Sequence, residues 1–289
     1  MDRRTWIGGG RNSGVSVTVA DRAQEFSADR LAERFVAARL SATALPSFPG
    51  ALPADLATAY RVQDAAIAMW PDEVIGWKVG RVPPEHEGPL KAARLFGPTF
   101  NRALHLVNPG DLTDIPVFVG GFAAIEAEYV VRIGTDAPAD KLDWTVDEAK
   151  GLVGAMHIGM EPASSPFPDI NVIGPLAVVS DFGNNAGLLV GAEIADWAKR
   201  PLEELRCEAL IEGEVKGQGG AFILPGGPLT SLRLLAENVA RRGRPLKAGQ
   251  YVCTGAAAGI IEIQAGQTGA VRFEGYGEIR CRAVPAQAS

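Results

Sequence analysis

A long, mostly apolar stretch with two acids inside it constrains the fold more than any other part of the sequence. It runs from Gly120 to Ile133 and contains, apart from two glutamates and one arginine, only small, aromatic or apolar residues. β-Branched and aromatic residues gather toward its end, which favours a strand. Because side chains of a strand alternate between faces, Glu126 and Glu128 lie on one face, about 7 Å apart by strand rise.

Two interpretations of this acid pair follow from its spacing. Carboxylates this close repel each other when they are desolvated, and a metal cation between them relieves the repulsion. The same pattern also fits a solvent-exposed strand face that happens to carry two acids. The positions of Glu126 and Glu128 alone leave both interpretations open.

The composition predicts a folded protein without a nucleic-acid surface. Of the 289 residues, 47% are hydrophobic, enough for the core of one large domain or of a small domain attached to a larger one. The net charge of −6 and the lack of an extended Lys/Arg cluster argue against nucleic acid as a partner. Since the sequence has neither a signal-like apolar segment nor a run of about 18 apolar residues, we expect a cytoplasmic protein with no membrane partner.

The chain is predicted to begin with a helical part. Residues 1–18 are rich in Gly and Ser without periodicity, and we expect them to be a disordered extension. Residues 19–84 are predicted to form a small helical N-terminal segment, with one helix capped by Ser27 and ending near Leu40 and a second over 55–69. Residues 85–289 are predicted to form a larger second domain.

The rest of the sequence is dominated by short strand-like runs between Gly/Pro turns. Helices are predicted over 147–153, with an extension to 157 left open, and over 228–239. A tight hairpin is predicted at Gly213. The predicted strands are 74–79, 103–107, 115–119, 125–133, 177–180, 187–190, 207–212, 214–217, 250–253, 260–264, 270–273 and 278–284. This pattern favours an α+β fold, a mixed β-sandwich or β-roll preceded by the small helical segment.

Three further motifs suggest chemistry, and each has an ordinary alternative. Lys78 lies among apolar residues on a short predicted strand, where a desolvated lysine suits acid/base work; it could also extend its ammonium group to the surface. Glu161 precedes a proline-stiffened loop and is either a third oxygen ligand or an acid that starts a loop. The small-residue loop 252–259 lets backbone N–H groups approach a ligand, or is a flexible turn.

Taken in order, these motifs resemble those of a known family. They are Gly-x-Lys-Val-Gly at 76–80, Ile-Glu-Ala-Glu at 125–128, an acid about 33 residues later, and Pro-Leu-Lys-Ala-Gly-Gln-x-Val-x-Thr-Gly at 245–255. The series is similar to the 2-keto-4-pentenoate hydratase / 4-oxalocrotonate decarboxylase group of the fumarylacetoacetate hydrolase superfamily. The resemblance covers roughly residues 55–284.

The resemblance implies a fold, a metal and a set of site residues. The fold would be the superfamily's C-terminal β-roll, and Glu126, Glu128 and Glu161 would hold Mg²⁺ or Mn²⁺. Lys78 would be the catalytic residue that moves a proton or stabilises an enolate. The residues implied to bind the substrate, a small 2-oxo acid or its enol, are Phe100, Ser164, Asn184, Thr254 and Gly255. Homo-oligomerisation is also implied.

The leading hypothesis for the reaction is a metal-dependent hydratase, a lyase of aromatic-compound catabolism that adds water to an acid of the 2-hydroxypenta-2,4-dienoate type. Decarboxylation of a 4-oxalocrotonate-like diacid stays open. So does C–C hydrolysis of an acylpyruvate, with His86, which glutamates flank, as the base. A family member without catalysis is the non-enzyme alternative. We expect His86 at the surface and His105 and His157 in the core.

Three stretches depart from the family pattern around the predicted site. Ser164-Ser165-Pro166 stands where related hydratases carry Ser-Arg, and Arg81-Val82 follows the lysine motif where Thr or Ser is usual. An Asp-Asn-Ala-Ser motif appears only as the longer stretch 181–187. These changes leave the implied metal ligands intact and alter the pocket around them. The three cysteines, Cys207, Cys253 and Cys281, are widely spaced in apolar runs, and we expect buried free thiols.

Overall fold

A computed structural model describes residues 26–288 of the chain. The predicted disordered extension, residues 1–18, lies outside the described residues. The helices are α1 (Ala28–Leu40), α2 (Leu56–Met69), α3 (Pro84–Leu90), α4 (Val146–Lys150), α5 (Ile170–Ile173), α6 (Pro175–Ser180) and α7 (Gly227–Arg241). The strands are β1 (Val74–Arg81), β2 (Arg94–Phe100), β3 (Leu104–Leu106), β4 (Leu112–Val117), β5 (Phe122–Ile133), β6 (Val153–Ser165), β7 (Leu188–Glu193), β8 (Arg206–Ile211), β9 (Glu214–Gly220), β10 (Tyr251–Cys253), β11 (Ile260–Glu262), β12 (Thr268–Phe273) and β13 (Gly277–Pro285).

Two β-sheets pack face to face around the core. The larger sheet has the strand order β2-β1-β10-β5-β6-β7-β3, and β11 also pairs with β5. The smaller sheet has the order β4-β13-β12-β8-β9. Tyr129 on β5 packs edge-on against Phe273 on β12, with 5.4 Å between the ring centroids. The structure confirms the predicted α+β fold, with mixed sheets arranged as a sandwich or roll.

Strand β5 lies at the centre of the larger sheet. It pairs antiparallel with β6 along nearly its whole length, from the Phe122–Ser165 pair to the Ile133–Val153 pair. On its other side it pairs with β10 and β11, and β10 runs parallel to β1. Because β5 is covered on both faces, nearly all its side chains are buried, which explains the almost continuous apolar run in the sequence.

The N-terminal helices begin at capping residues. The Ser27 side chain accepts a hydrogen bond from the backbone N–H of Arg30, and the Asp55 carboxylate accepts one from Thr58. Helix α1 packs on α2, and α2 packs on α6. No helix of the described residues combines the length and apolar character needed to span a membrane.

The predicted division at residue 84 separates strands of one sheet. Strand β1 falls inside the predicted segment 19–84, yet it lies between β2 and β10 in the larger sheet. Because one sheet contains strands from both parts, the division into a segment 19–84 and a domain 85–289 stays a prediction, namely that the two parts fold independently.

Two secondary-structure predictions are wrong. The run 177–180 belongs to helix α6 rather than to a strand, since Pro175 opens a helical turn and a short apolar run fits either element. The helix predicted over 147–153, with its open extension to 157, instead ends at Lys150, and β6 begins at Val153. Pairing with β5 decides the conformation of β6 against its weak strand propensity.

Other sequence predictions are confirmed. Glu212 and Gly213 form a turn between β8 and β9 with positive φ at both positions, which suits a tight hairpin. All three cysteines are buried and free.

Candidate metal centre and active site

Three glutamates meet on one face of the β5–β6 pair. Glu126 lies directly opposite Glu161 in the antiparallel register, and Glu128 lies opposite Gly159. One carboxylate oxygen from each of the three glutamates lies within 4.8 Å of the other two. Since the three residues are only 3%, 0% and 0% exposed in chain order, the solvent-exposed interpretation of the Glu126/Glu128 pair is wrong.

Each of two glutamates has one oxygen with a protein donor and one without. The backbone N–H of Gly255 donates to Glu128 Oε2 at 2.5 Å, and Asn185 Nδ2 donates to Glu161 Oε1 at 3.0 Å. The remaining oxygens, Glu128 Oε1 and Glu161 Oε2, are buried and have no hydrogen-bond partner among residues 26–288. Buried oxygens of this kind are costly, and a hard cation with oxygen ligands would satisfy them.

Lys78 brings one positive charge to the three acids. Its Nζ lies 3.3 Å from Glu161 Oε1 and 3.5 Å from Asn184 Oδ1. Burial acts to lower the pKa of Lys78, but the negative charges of Glu161, Glu126 and Glu128 outweigh it and hold that pKa above its ordinary value. Three carboxylates and one ammonium leave a formal charge of −2, which one divalent cation would balance.

The pKa values of the acids reflect the same imbalance. Burial raises the pKa of Glu126, while the charge of Lys78 opposes the rise. Burial, together with the charges of Glu161 and Glu126, raises the pKa of Glu128 well above its ordinary range. Burial raises the pKa of Glu161 to about 8 in spite of Lys78. Without a cation, the three carboxylates therefore resist being ionised together.

A strained turn presents two asparagines to the site. Phe182, Gly183 and Asn184 have φ values of 55°, 65° and 54°, a left-handed conformation that residues other than glycine rarely adopt. The turn places the Asn184 side chain at Lys78 and the Asn185 side chain at Glu161. Gly97 on β2 leaves room for it, because a side chain there would overlap the Phe182 carbonyl.

Arg39 of α1 holds this turn in place. Its Nε lies 2.5 Å from Asp181 Oδ1, its Nη1 donates to the Asn185 carbonyl at 3.1 Å, and its Nη2 donates to the Ser164 carbonyl at 2.9 Å. Arg39 is not among the site residues predicted from the sequence. The available signal was its position four residues after Phe35, on the apolar face of α1.

A cavity of about 440 Å³ reaches the acid cluster at Glu126, whereas Glu128 and Glu161 are not among its lining residues. Of the predicted site residues, Lys78, Glu126, Asn184, Thr254 and Gly255 line it. The Gly255 N–H binds Glu128 rather than facing a ligand, and Thr254 Oγ1 donates to the Tyr129 carbonyl at 2.7 Å. Further lining residues that sequence reasoning did not assign include Arg81, Arg94, Asn171, Val178, Leu224 and Glu262.

Two residues predicted to bind substrate lie elsewhere. Phe100 packs against Trp70 and Phe182 and lines a second cavity of about 420 Å³. Ser164 is fully buried, and its hydroxyl donates to the Phe122 carbonyl at 2.8 Å. Ser164 follows Glu161 by an odd number of residues, and side chains of a strand at such a spacing project from opposite faces.

The histidines lie outside the acid-lined cavity. His86, which was predicted at the surface, is instead half-buried on α3 beside Gly174, and it is not among the residues that line the cavity. The core positions predicted for His105 and His157 are wrong, since both are half-buried. His157 Nδ1 lies 3.2 Å from the Gly191 carbonyl, near the end of β6 that pairs with β7.

Sequence relatives of the chain carry two enzyme names. A 2-keto-4-pentenoate hydratase of Paraburkholderia phymatum is 25% identical over 211 residues, which are 72% of this chain and 78% of the relative. A 4-oxalocrotonate decarboxylase of Pseudomonas sp. strain CF600 is 27% identical over 137 residues, 44% of this chain and 52% of the relative. No protein-family model matches the chain.

Solved structures share the fold. The 4-oxalocrotonate decarboxylase of Pseudomonas putida G7, complexed with magnesium and adipate, superposes with a TM-score of 0.71 at 21% identity, covering 89% of this chain and 97% of that chain. The fumarylpyruvate hydrolase of Pseudomonas aeruginosa, in complex with Mn²⁺ and pyruvate, gives a TM-score of 0.54 at 17% identity, covering 73% and 89%. The resemblance inferred from the motifs is confirmed, since the sequence relatives carry both names of that group and the fold is shared with a solved decarboxylase and a solved hydrolase.

Proposed function

We propose that this chain, which has hydratases and decarboxylases among its sequence relatives, is a divalent-metal-dependent lyase that adds water to an unsaturated 2-oxo acid of the 2-hydroxypenta-2,4-dienoate type. The observation that carries the proposal is the cluster of three buried glutamates beside a charged lysine at a cavity, with two carboxylate oxygens that have no partner among residues 26–288. The proposal includes a role in aromatic-compound catabolism, a cytoplasmic location and assembly as a homo-oligomer.

The donor set fits a hard divalent cation. Glu126, Glu128 and Glu161 would hold Mg²⁺ or Mn²⁺, and oxygen ligands accept either ion. A cation held there would draw electron density from the 2-oxo group of a bound acid and stabilise negative charge that develops on it. The Gly255 N–H and the Asn185 amide fix the orientation of two of these carboxylates, as supporting hydrogen bonds do for metal ligands.

Lys78 would move the proton. Its ammonium lies within 3.5 Å of Asn184 and Glu161, at the wall of the cavity. The surrounding acids keep it protonated, so it can donate a proton to a bound dienolate carbon or hold an oxygen anion in place. Val178 and Leu224 supply apolar walls against which the hydrocarbon part of a bound acid can pack.

Decarboxylation is the second candidate reaction. It needs the same stabilisation of negative charge on a 2-oxo acid and no added water, and a decarboxylase is among the sequence relatives. C–C hydrolysis with His86 as the base has less support, because His86 does not line the cavity. The His86→Ala variant is therefore expected to retain activity. A non-catalytic protein would keep the fold without needing a charged lysine beside the acids.

Activity after metal removal tests the proposal. Dialysis against EDTA should abolish conversion of 2-hydroxypenta-2,4-dienoate, Mn²⁺ should restore it, and Glu126→Gln should not respond to Mn²⁺. NMR of the product distinguishes hydration from decarboxylation of a matching diacid, since loss of CO₂ leaves one carbon fewer. Conversion that resists EDTA, or that Glu126→Gln leaves intact, would contradict the proposed function.

A further inference from the structure

Two asparagine amides continue the contacts of Lys78 along the cavity wall. Asn184 Oδ1 lies 3.5 Å from Lys78 Nζ, and Asn184 Nδ2 donates to Asn171 Oδ1 at 3.2 Å. All three residues line the cavity. Lys78 and Asn184 are buried, whereas Asn171 on α5 is exposed. One buried amide therefore connects the lysine to a residue at the surface.

The ammonium group sets the direction of these hydrogen bonds. Because an ammonium group only donates, Asn184 presents its oxygen to Lys78, and its amide nitrogen faces away. That nitrogen needs an acceptor, since a buried amide without a partner is costly. The oxygen of Asn171 is this acceptor. An Asn184 amide turned the other way would place two donors face to face at Lys78, so the acceptor at Asn171 and the orientation at Lys78 depend on each other.

Lys78 has one N–H group left for a bound molecule. An ammonium group has three N–H donors, and two acceptors lie beside Lys78, namely Glu161 Oε1 at 3.3 Å and Asn184 Oδ1. No acceptor for the third N–H is found among residues 26–288. Since Lys78 lines the cavity, the third N–H is available there. The two contacts therefore fix the direction in which the ammonium group can donate to a ligand.

The short helix α5 holds Asn171 at the cavity. The preceding residue, Ile170, is fully buried and anchors the helix, while the following residue, Val172, is 83% exposed. Gly174, with φ of 104°, then turns the chain into α6. Because Asn171 is itself exposed, substitutions of its side chain should have little effect on stability. The residue can therefore be tested without disturbing the core.

We propose that Asn171 is a positioning residue for proton transfer by Lys78. Its amide oxygen holds the Asn184 amide in the orientation that directs the free N–H of Lys78 into the cavity. The inference rests on the proposed function, because it gives Asn171 a part in the reaction in which Lys78 moves the proton. Asn171 acts through Asn184, and its oxygen rather than its N–H groups makes the contact.

Steady-state kinetics of the full-length, Mn²⁺-loaded protein on 2-hydroxypenta-2,4-dienoate test this role. Asn171→Leu has a similar shape without polar atoms and should lower kcat about 10- to 100-fold, the scale for a misplaced catalytic group. Its KM should stay within about threefold of the wild type, because the substitution affects proton transfer rather than binding of the acid. Asn171→Asp keeps an acceptor oxygen for Asn184 and should retain kcat within about threefold of the wild type.

Further variants locate the effect at Asn184. Asn101→Leu, at an exposed asparagine that is not among the residues lining either cavity, is the matched control and should change neither kcat nor KM. Asn184→Gly suits the left-handed backbone at that position, and adding Asn171→Leu to it should lower kcat no further. Tm and Mn²⁺ affinity of Asn171→Leu should equal those of the wild type, because Asn171 is exposed and its hydrogen bond is to Asn184 rather than to a glutamate. Should Asn184→Gly fail to fold, the comparison of Asn171→Leu with Asn171→Asp still decides.

The outcomes separate this inference from the function beneath it. If the wild type converts the dienoate and Asn171→Leu has the same kcat, the inference is wrong and the proposed function stands. An equal loss of kcat in Asn171→Leu and Asn171→Asp, or a rise in KM alone, would mean that Asn171 acts through its own N–H groups on the substrate, and would also overturn the inference. If the Mn²⁺-loaded wild type converts no dienoate, the proposed function is wrong and the inference falls with it.

Discussion

Two clusters of buried charge lie on either side of the turn 181–185, and they are balanced in different ways. Arg39 and Asp181 form one pair of opposite charges, and the guanidinium also donates to the carbonyls of neighbouring residues. The cluster around Lys78 has three carboxylates for one ammonium and leaves two oxygens unpartnered among residues 26–288. The first cluster balances its charge within the chain, whereas the second keeps a formal charge of −2 when its three carboxylates are ionised.

This difference in charge balance indicates that the Arg39–Asp181 pair has a structural role and that the cluster around Lys78 has a chemical one. Burying charge costs several kcal/mol per ion unless partners compensate it. Arg39 and Asp181 balance each other's charge and fix the turn, although Asp181 Oδ2 has no hydrogen-bond partner among residues 26–288. The three glutamates are not balanced in this way without a cation, and such unbalanced groups with raised pKa values are typical of functional sites.

The largest expected effect is on catalysis. Lys78→Met should lower kcat by about 10³-fold, since general acid/base groups contribute on this scale. Metal affinity should not fall, because the substitution removes a positive charge beside the cation. The exposed Lys247→Met is the control. Activity within tenfold of the wild type, or a loss of metal binding that parallels the loss of activity, would contradict the role given to Lys78.

The next effect is on stability and concerns the balanced cluster. Arg39→Met leaves Asp181 buried without its partner, which should cost about 3–5 kcal/mol and lower Tm by about 10 °C in a protein of this size. The difference in Tm between Arg39→Met and the wild type should be the same with and without Mn²⁺, because the cation binds at the other cluster and stabilises both proteins equally. Arg200→Met, which removes an exposed ion pair, should leave Tm unchanged. A Tm of Arg39→Met equal to that of the wild type would show that the two clusters do not differ as described.

A smaller effect is the pH dependence of metal-linked stability. Folding raises the pKa of Glu161 from 4.5 to about 8, so the metal-free protein holds protons that the unfolded chain releases. Its free energy of unfolding should therefore fall as pH rises through this range. Metal at 100 times its Kd adds about 2.7 kcal/mol.

Thermal unfolding with and without Mn²⁺ measures this dependence. At one fixed metal concentration, the rise in Tm should be larger at pH 8 than at pH 6, because protons compete with the cation for the carboxylates. A rise in Tm that is equal at both pH values, or larger at pH 6, would mean that the cation binds elsewhere.

The sequence predicted the features that depend on local periodicity. Alternation along a strand placed Glu126 and Glu128 on one face, and capping residues located α1 and α2. Long-range register was not predictable in the same way. Glu161 meets Glu126 because β5 and β6 pair along their length. The sequence pattern instead favoured a helix over 147–153, with a possible extension to residue 157, and that range overlaps the start of β6.

Residues brought in by tertiary contacts were also beyond sequence reasoning. Asn185 reaches Glu161 because the preceding turn is left-handed on both sides of Gly183, at Phe182 and Asn184. Residues other than glycine rarely adopt this conformation, so the sequence did not indicate it. Arg39 reaches that turn from a helix about 140 residues earlier in the chain. Phe100 and Ser164, taken from the resemblance, face other parts of the protein, since a shared motif position does not fix the direction of a side chain.

The most direct test of the account is a calorimetric titration of Mn²⁺ into the metal-free protein at pH 8. We predict one ion per chain, and binding at least about 100-fold weaker in each of Glu126→Gln, Glu128→Gln and Glu161→Gln. Glu262→Gln, at an exposed acid that lines the same cavity, should bind as the wild type does. No binding at millimolar Mn²⁺, or equal weakening by Glu262→Gln, would contradict the assignment of the three buried glutamates as a metal centre.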